Sequence, residues 1–449
     1  MQLLQATGME FNDYNKANSF RIPSTRFSRL MNLGSMTAGI AGNVLVSATT
    51  QFAKGKRTDF QGLLLSHANL LRFVKSLSQM RGAAMKVGQL LSLEAGEFIS
   101  PQVSEILSSL RNQGYAIPPS QLKEVLIENW GDGFSKMFEY FDPDPIAAAS
   151  IGQVHKCRTK QGEDLAIKVQ YPGVRDSIDS DIKNLMFLFK NTGIVPPFID
   201  LESLLEAGRA QLHRETDYEL EGRFLKEFSG LLSNDPEFEV PQLNKKLSTS
   251  NILAMEFKNG ITLDRVSSLS QIKRNRIVYC LMKLLFAEIF EFKIIQTDPN
   301  YANFLFDKER NKIILLDFGA TQKIEADVSE RFRALLQATW QDHRSDIENA
   351  LYSLKVLHTS FPPNLKEIFI ELFLNVTKPI RQKELYVFRK IKIIEKIQEH
   401  MQDLISYQKT VRIPDLDVLF IQRKIGGLFF LARNLNAEID LNEILKDHL

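Results

Sequence analysis

Apolar residues between Gln61 and Glu97 recur in steps of three and four. Leu70, Val74, Leu77, Met80, Ala84, Val87 and Leu91 line one face, which predicts helix over 61–97. Ser100-Pro101 restarts a helical segment over 102–113, ended by Gly114, and Pro118-Pro119 opens a third over 120–129. The pattern changes at Phe134. Residues 146–171 hold short β-like runs, clearest at Leu165–Tyr171, where Leu165, Ile167, Val169 and Tyr171 share one face and Ala166, Lys168 and Gln170 the other. With Gln161-Gly162 as its turn, 151–171 reads as a hairpin. Helical patterns return at 176–189 and 201–230, separated by Gly193 and Pro196-Pro197, and strands are predicted at 236–240 and 251–257. Beyond Asn259-Gly260 the chain reads as almost wholly helical except at 294–320, which contains two short apolar runs, Asn303–Phe306 and Lys312–Phe318. No internal repeat or low-complexity tract interrupts this order. It divides into a basic, apolar N-terminal segment (1–60), a helical extension (61–133), a small β-rich lobe with a helical insertion (134–260) and a helical lobe (261–449).

Composition narrows the picture. A chain of 449 residues, 44% hydrophobic and 24% charged, is globular and too long for one ordinary domain. Two cysteines, Cys157 and Cys280, exclude a disulfide scaffold and a cysteine-based zinc cluster. The seven histidines are scattered without zinc-site spacing, and His155 and His213 read as structural. A net charge of +2 argues against a dedicated nucleic-acid binder.

That balance hides an asymmetry. Between Asp13 and Asp59 there is no acidic residue but seven basic ones: Lys16, Arg21, Arg26, Arg29, Lys54, Lys56 and Arg57. They flank a 24-residue uncharged stretch, Leu30–Ala53, long enough to span a bilayer but diluted by polar residues such as Asn32, Asn43 and Gln51. Its small residues, including Ala38 and Gly42, suit close helix approach in lipid or packing on protein. It is the one membrane candidate in the sequence. The first 30 residues lack the apolar region of a signal peptide, and with Glu10 and Asp13 they do not resemble a transit peptide. This favours the cytoplasmic face of a bacterial membrane, with the mitochondrial inner membrane as the alternative. A second basic run, Lys378, Arg381, Lys383, Arg389, Lys390, Lys392 and Lys396, reads as a solvated helical face, against an anionic-lipid patch.

The chemistry concentrates in a few motifs. Gln296-Thr297-Asp298-Pro299-Asn300-Tyr301-Ala302-Asn303 is followed fourteen residues later by Asp317-Phe318-Gly319. Asp-Pro-Asn alone is a turn, and a lone Asp-Phe-Gly is unremarkable. Together, Asp-x4-Asn and Asp-Phe-Gly beside short apolar strands give the kinase layout of catalytic loop and metal aspartate. Lys168, in Ala166-Ile167-Lys168, approaches the strand-lysine pattern that holds α/β-phosphates, although a lysine in such a strand can equally face solvent. Its glutamate partner is sought in Arg214–Glu221, and Glu221 is the preferred choice over Glu215 and Asp217. Where an ordinary kinase carries a glycine-rich loop, this chain has Ala147-Ala148-Ala149-Ser150-Ile151-Gly152; the added Cβ atoms stiffen it. Upstream, Lys86-Val87-Gly88-Gln89 places Lys86 and Gln89 on one helix face, and Gly88 permits close approach of a neighbour.

Together these residues resemble the UbiB (AarF-like) family of atypical kinases, which supports ubiquinone biosynthesis. The resemblance covers most of the chain: Lys86–Gln89, Ala147–Ser150 with Ile-Gly-Gln-Val-His after it, Lys168, Glu215 and Asp217, Glu221, the Gln-Thr-Asp-Pro-Asn loop and Asp-Phe-Gly. Arg21-Ile22-Pro23 and the apolar stretch beyond it are similar to the start of the helical extension in ubiquinone-linked members. It implies an α+β, protein-kinase-like bilobal fold, with a small β-rich N-lobe, a helical C-lobe and a helical KxGQ extension. Position by position, it implies that Lys168 and Glu221 orient ATP under the loop Ala147, Ala148, Ala149 and Ser150, and that Met255, Glu256 and Phe257 form the hinge near adenine. Asp298 stands at the catalytic aspartate and Asn303 and Asp317 at the Mg²⁺ ligands. Lys86 and Gln89 fold over the site near Glu215 and Asp217, obstructing the groove a peptide substrate needs. The partners it implies are ATP, lipid or quinone-precursor molecules, an anionic membrane surface and enzymes of ubiquinone biosynthesis, with a homodimer left open. The expected activity is Mg²⁺-dependent ATP hydrolysis or phosphoryl transfer to a small molecule or lipid. A nucleotide-switched lipid-binding or scaffold module is the alternative, and a soluble kinase acting on polypeptides is disfavoured by the KxGQ helix and the alanine loop.

Overall fold

The computed structural model describes residues 80–95, 116–192, 195, 200–298, 300–407 and 414–449, which fall into two compact units. The uncharged stretch at 30–53 and the helical readings over 61–79 and 102–113 lie outside the described residues. Among the described residues, no helix is long and apolar enough to cross a membrane.

The first unit takes the chain up to Gly222 and again from Gln242 to Phe257. Its described part opens with α1 (Arg81–Ala95) and α2 (Pro119–Trp130); Pro119 starts α2 where its missing N–H leaves no bond unmade. The strands are β1 (Phe138–Phe141), β2 (Ala147–Ala148), β3 (Gly152–Thr159) and β4 (Asp164–Gln170), with the turn between the last two at Gly162, whose φ is +86°. Helices α3 (Val174–Thr192), α4 (Leu201–Glu215) and the first turn of α5 (Tyr218–Leu231) follow, and β6 (Ile252–Glu256) completes the unit. The sheet is antiparallel in the order β1-β3-β4-β6, with β2 added to β3. The strand β1 lies in a stretch that the alternation did not single out. Because β4 is a central strand covered on both faces, Ile167, Val169, Lys168 and Gln170 are all buried.

The helical reading over 201–230 is corrected: the chain breaks at Thr216-Asp217. Asp217 Oδ1 accepts the Leu220 N–H at 2.9 Å and starts α5 as an N-cap, while the Thr216 carbonyl accepts from Gln170 Nε2 at 3.1 Å. His155 is fully buried and structural. Its Nδ1 donates to the Asp142 carbonyl at 2.9 Å and its Nε2 accepts from Gln153 Nε2 at 2.8 Å. Gln153 Oε1 in turn accepts the Ile117 N–H at 2.9 Å, so one buried relay ties the segment before α2 to the sheet.

The second unit comprises Arg223–Pro241 and Lys258–Leu449. Its four-stranded sheet has the order β5 (Phe238–Glu239), β10 (Lys312–Leu315), β9 (Phe304–Asp307) and β7 (Ile261–Thr262), with β5 parallel to β10. Helix α6 (Gln271–Ala287) leads to β8 (Ile294–Gln296), which pairs with β11 (Thr321–Lys323). Then come α7 (Ala326–Gln341), α8 (Arg344–Ser353), α9 (Pro363–Arg381), β12 (Tyr386–Val387), α10 (Ile393–Glu399), α11 (Met401–Ser406), α12 (Leu416–Asn434), β13 (Glu438–Ile439) and α13 (Leu441–Lys446). Two readings are corrected here. The region past Gly260 carries strands outside 294–320, namely β7, β11 and the pair β12–β13; at two or three residues each they are too short to show alternation. The basic run from Lys378 to Lys396 is not one helical face, since it crosses the end of α9, a turn, β12 and the start of α10.

Candidate active site

Lys168 sits in the middle of β4, paired across to Val154 and Leu253. Its Nζ lies 2.8 and 3.0 Å from the two carboxylate oxygens of Glu221, and both side chains are buried. Glu221 and Tyr218, three residues apart, share a face of α5, and the Lys168 ammonium is 5.2 Å from the Tyr218 ring centre. A buried ion pair of this kind adds little net stability, yet losing one partner strands the other charge at a cost of about 3–5 kcal/mol.

A second buried pair lies in the same unit. Lys86 Nζ is 2.5 Å from Glu215 Oε1, and Glu215 Oε2 accepts from Ser150 Oγ at 2.7 Å. Gly82, one turn before Lys86, is what lets the loop come close: a Cβ there would stand 2.9 Å from the Ser150 carbonyl oxygen. The loop itself is a tight connection. Ala147 and Ala148 pair with Val154 and Gln153, and the Ala149 N–H donates to the Gly152 carbonyl at 2.8 Å. Ala147 and Ala148 are exposed, Ala149 and Ser150 half-buried. Asp217 is engaged as the cap of α5, so Glu215 rather than Asp217 bonds to the Lys86 helix. Gln89 is on α1; its side chain is outside the described set. At the end of β6, the Glu256 N–H donates to the Gln242 carbonyl and the Phe257 N–H to that of Asp164, both at 2.9 Å, and Lys156 Nζ stands 4.2 Å from the Phe257 ring centre. Met255 is buried.

In the second unit, β8 and β11 bring the Asp298 loop against Asp-Phe-Gly. Thr297 donates twice to the Ala320 carbonyl, through its N–H at 3.1 Å and its Oγ1 at 2.6 Å. Asp298 Oδ1 accepts the Asn300 N–H at 3.3 Å and Asn300 Oδ1 the Ala302 N–H at 3.1 Å, successive side-chain turns that shape the loop. The β9–β10 pairing continues one step past the strands, where the Leu316 N–H donates to the Asn303 carbonyl at 3.0 Å. That places Asn303 beside Asp317, whose Oδ1 accepts the Gly319 N–H at 2.9 Å. Phe318 is buried, 5.0 Å from the Phe228 ring centre. Asp298, Asn303 and Asp317 are all half-buried.

Among the described residues, no group of three or more His, Cys, Asp or Glu side chains could hold a metal ion. The Asn303–Asp317 set still fits Mg²⁺: a carboxylate and an amide oxygen suit a hard cation whose other positions are filled by phosphate and water. The Asn303 Nδ2 atom is buried with no hydrogen-bond partner among the described residues, so the amide is not locked into the protein. Gly82, Tyr218 and Thr297 are contributors that motif reading passed over. Gly82 had a readable signal, its spacing of four from Lys86.

The model of the ABC1 atypical kinase-like domain matches residues 109–351, more than half of the chain. The chain belongs to the ABC1 family of atypical kinases. It is 34% identical over 436 residues to the mitochondrial atypical kinase COQ8B of Danio rerio, covering 96% of this chain and 70% of that protein. It is 33% identical over 432 residues to the mitochondrial atypical kinase COQ8 of Saccharomyces cerevisiae, covering 96% and 86%. Among solved structures, Rv3197 of Mycobacterium tuberculosis, determined with erythromycin, matches with a TM-score of 0.57 at 21% identity over 86% of this chain and 96% of that one, a likeness of fold. As an ABC1 member the chain is an atypical protein-kinase-like, ATP-binding enzyme with the α+β kinase-like fold.

Proposed function

We propose that this ABC1 chain binds Mg·ATP and either hydrolyses it or transfers its phosphoryl group to a small molecule or lipid, in support of ubiquinone biosynthesis at a membrane. The observation that carries the reading is the buried Lys168–Glu221 pair between β4 and α5, a charged pair that a nucleotide ligand explains better than stability does. Lys168 holds the α/β-phosphates with Glu221 keeping its ammonium in place. Asp298 orients the attacking oxygen, from water or a substrate hydroxyl. Asn303 and Asp317 hold Mg²⁺, which when bound neutralises charge on the phosphates. Glu256 and Phe257 flank the adenine. The side chains themselves contribute positioning and charge stabilisation. The mitochondrial relatives favour the mitochondrial inner membrane over a bacterial one as the site of action.

The bond from Ser150 to Glu215 and from Glu215 to Lys86 joins the alanine loop to α1, and it favours a second reading. There, nucleotide resets the loop and the KxGQ helix, and the chain presents lipid intermediates without a phosphorylated product. The test is phosphate release and γ-phosphoryl incorporation with the full chain, with and without anionic liposomes carrying a polyprenyl phenol. The enzymatic reading expects liposomes to raise turnover several-fold and Lys168→Met to reduce it by roughly 10²-fold or more. Nucleotide-dependent liposome binding with no release above the Lys168→Met background would transfer the case to the switch reading.

A further inference from the structure

The second unit contains a buried ion pair that no nucleotide role uses. Lys424, on the apolar face of α12 with Ile421, Leu428 and Leu431, points its Nζ at Glu288 Oε2, and both side chains are all but inaccessible to solvent. The other oxygen of Glu288 accepts the backbone N–H of Gln296 at 3.4 Å. Gln296 lies two residues before Asp298.

The geometry explains why that amide needs a partner. In the two-stranded sheet β8–β11 the Thr297 N–H points across to Ala320, and backbone N–H groups alternate along a strand. The Gln296 amide therefore points off the open edge of β8, away from β11. It is buried, and a buried N–H is rarely left unmade. Glu288 reaches it because the helix changes pitch there: α6 ends at Ala287 and Glu288–Phe292 is a π-turn closed by Lys293 at φ +52°. Such turns are frequent at functional sites. Ser329 Oγ, donating to the Ile289 carbonyl at 2.8 Å, satisfies one of the groups the turn frees.

We propose that the Lys424–Glu288 pair is a positioning device for the catalytic loop, in which Lys424 on α12 holds the Glu288 carboxylate under the Gln296 amide and so fixes where Asp298 stands. Burial alone pushes the Glu288 carboxyl up and the Lys424 amine down, and each partner's charge opposes the shift in the other. With both effects acting, burial still holds the carboxyl above and the amine below their usual ranges, and the Lys424 charge is the largest influence drawing the Glu288 carboxyl back towards its ionised form. Asp298 touches the reacting atoms; Lys424 and Glu288 act through it.

The inference rests on the enzymatic reading above, and its test separates the two. Full-length Glu288→Leu/Lys424→Met removes both charges together, which spares the protein a lone buried ion. The expected result is a Tm close to wild type, an ATP Kd within about threefold, a kcat lowered at least tenfold, and amide exchange at Gln296 at least tenfold faster. Glu288→Gln, which keeps an acceptor for the amide, retains exchange protection and more kcat than the double variant. A folded double variant with wild-type kcat and wild-type Gln296 exchange overturns the proposal. If wild type shows no turnover above Asp298→Asn, the enzymatic reading fails, and the exchange comparison alone decides the positioning. If the double variant does not fold, wild-type exchange decides: a Gln296 amide that exchanges as fast as an exposed loop amide sinks the idea.

Discussion

Lys86 Nζ and Glu215 Oε1 stand 2.5 Å apart, and the second oxygen of that carboxylate is held by Ser150 at 2.7 Å, so the KxGQ helix and the alanine loop share one acid. Replacing Lys86 by Met leaves Glu215 buried without its cation. The expected loss of stability is about 3–5 kcal/mol, measured by urea unfolding, and adding Glu215→Gln is expected to restore most of it. A Lys86→Met variant as stable as wild type would mean that the pair is solvated and that α1 does not depend on it.

Gly152 is the one glycine left in the loop region, and the reason is steric. A Cβ at this position would lie 2.4 Å from the Val169 carbonyl oxygen and 2.8 Å from the Tyr218 hydroxyl. Gly152→Ala is expected to cost about 1–3 kcal/mol and to weaken ATP binding, because Tyr218 lies beside Lys168. Parallel thermal unfolding and nucleotide titration of the variant check both halves.

His155 makes stability depend on pH in a defined window. Burial pushes its imidazole down to about 4 from an ordinary value of 6.5, so the fold holds it neutral. Above pH 6.5 both folded and unfolded chains carry it neutral and it contributes no slope. As pH falls from 6.5 towards 4 the unfolded chain takes up a proton that the folded chain refuses, and stability drops. Between pH 7 and pH 5 wild type is expected to lose about 2 kcal/mol more than His155→Gln, read from urea unfolding at both pH values. Equal losses in the two proteins would count against a buried neutral imidazole.

Much of this was legible in the sequence because the relevant signals are local. The hairpin around Gly162 follows from alternation, α2 from Pro119, and the Asp298 and Asp317 loops from their spacing. What stayed hidden is pairing at a distance. Nothing around Lys168 says whether it faces solvent or Glu221, because that depends on α5 bringing Glu221 and Tyr218 against that face of β4. The break at Thr216-Asp217 was masked by continuous helical periodicity on both sides, although Asp217 is a residue type that caps helix N-termini. The strands β12 and β13 pair across about fifty residues and are too short to announce themselves. Lys424 reads as one cation on an otherwise apolar face; only the tertiary fold brings it to Glu288.

The most direct test of the central claim is phosphate release from Mg·ATP by wild type, Asp298→Asn and Asp317→Asn, with ATP affinity measured on the same preparations. The account expects turnover by wild type and a loss of roughly 10²- to 10⁴-fold in Asp298→Asn with ATP affinity little changed. It expects loss of both turnover and Mg²⁺-dependent affinity in Asp317→Asn. If all three bind ATP and release phosphate at the same residual rate, the loops at Asp298 and Asp317 do no chemistry, and the account of an ATP-consuming enzyme is contradicted.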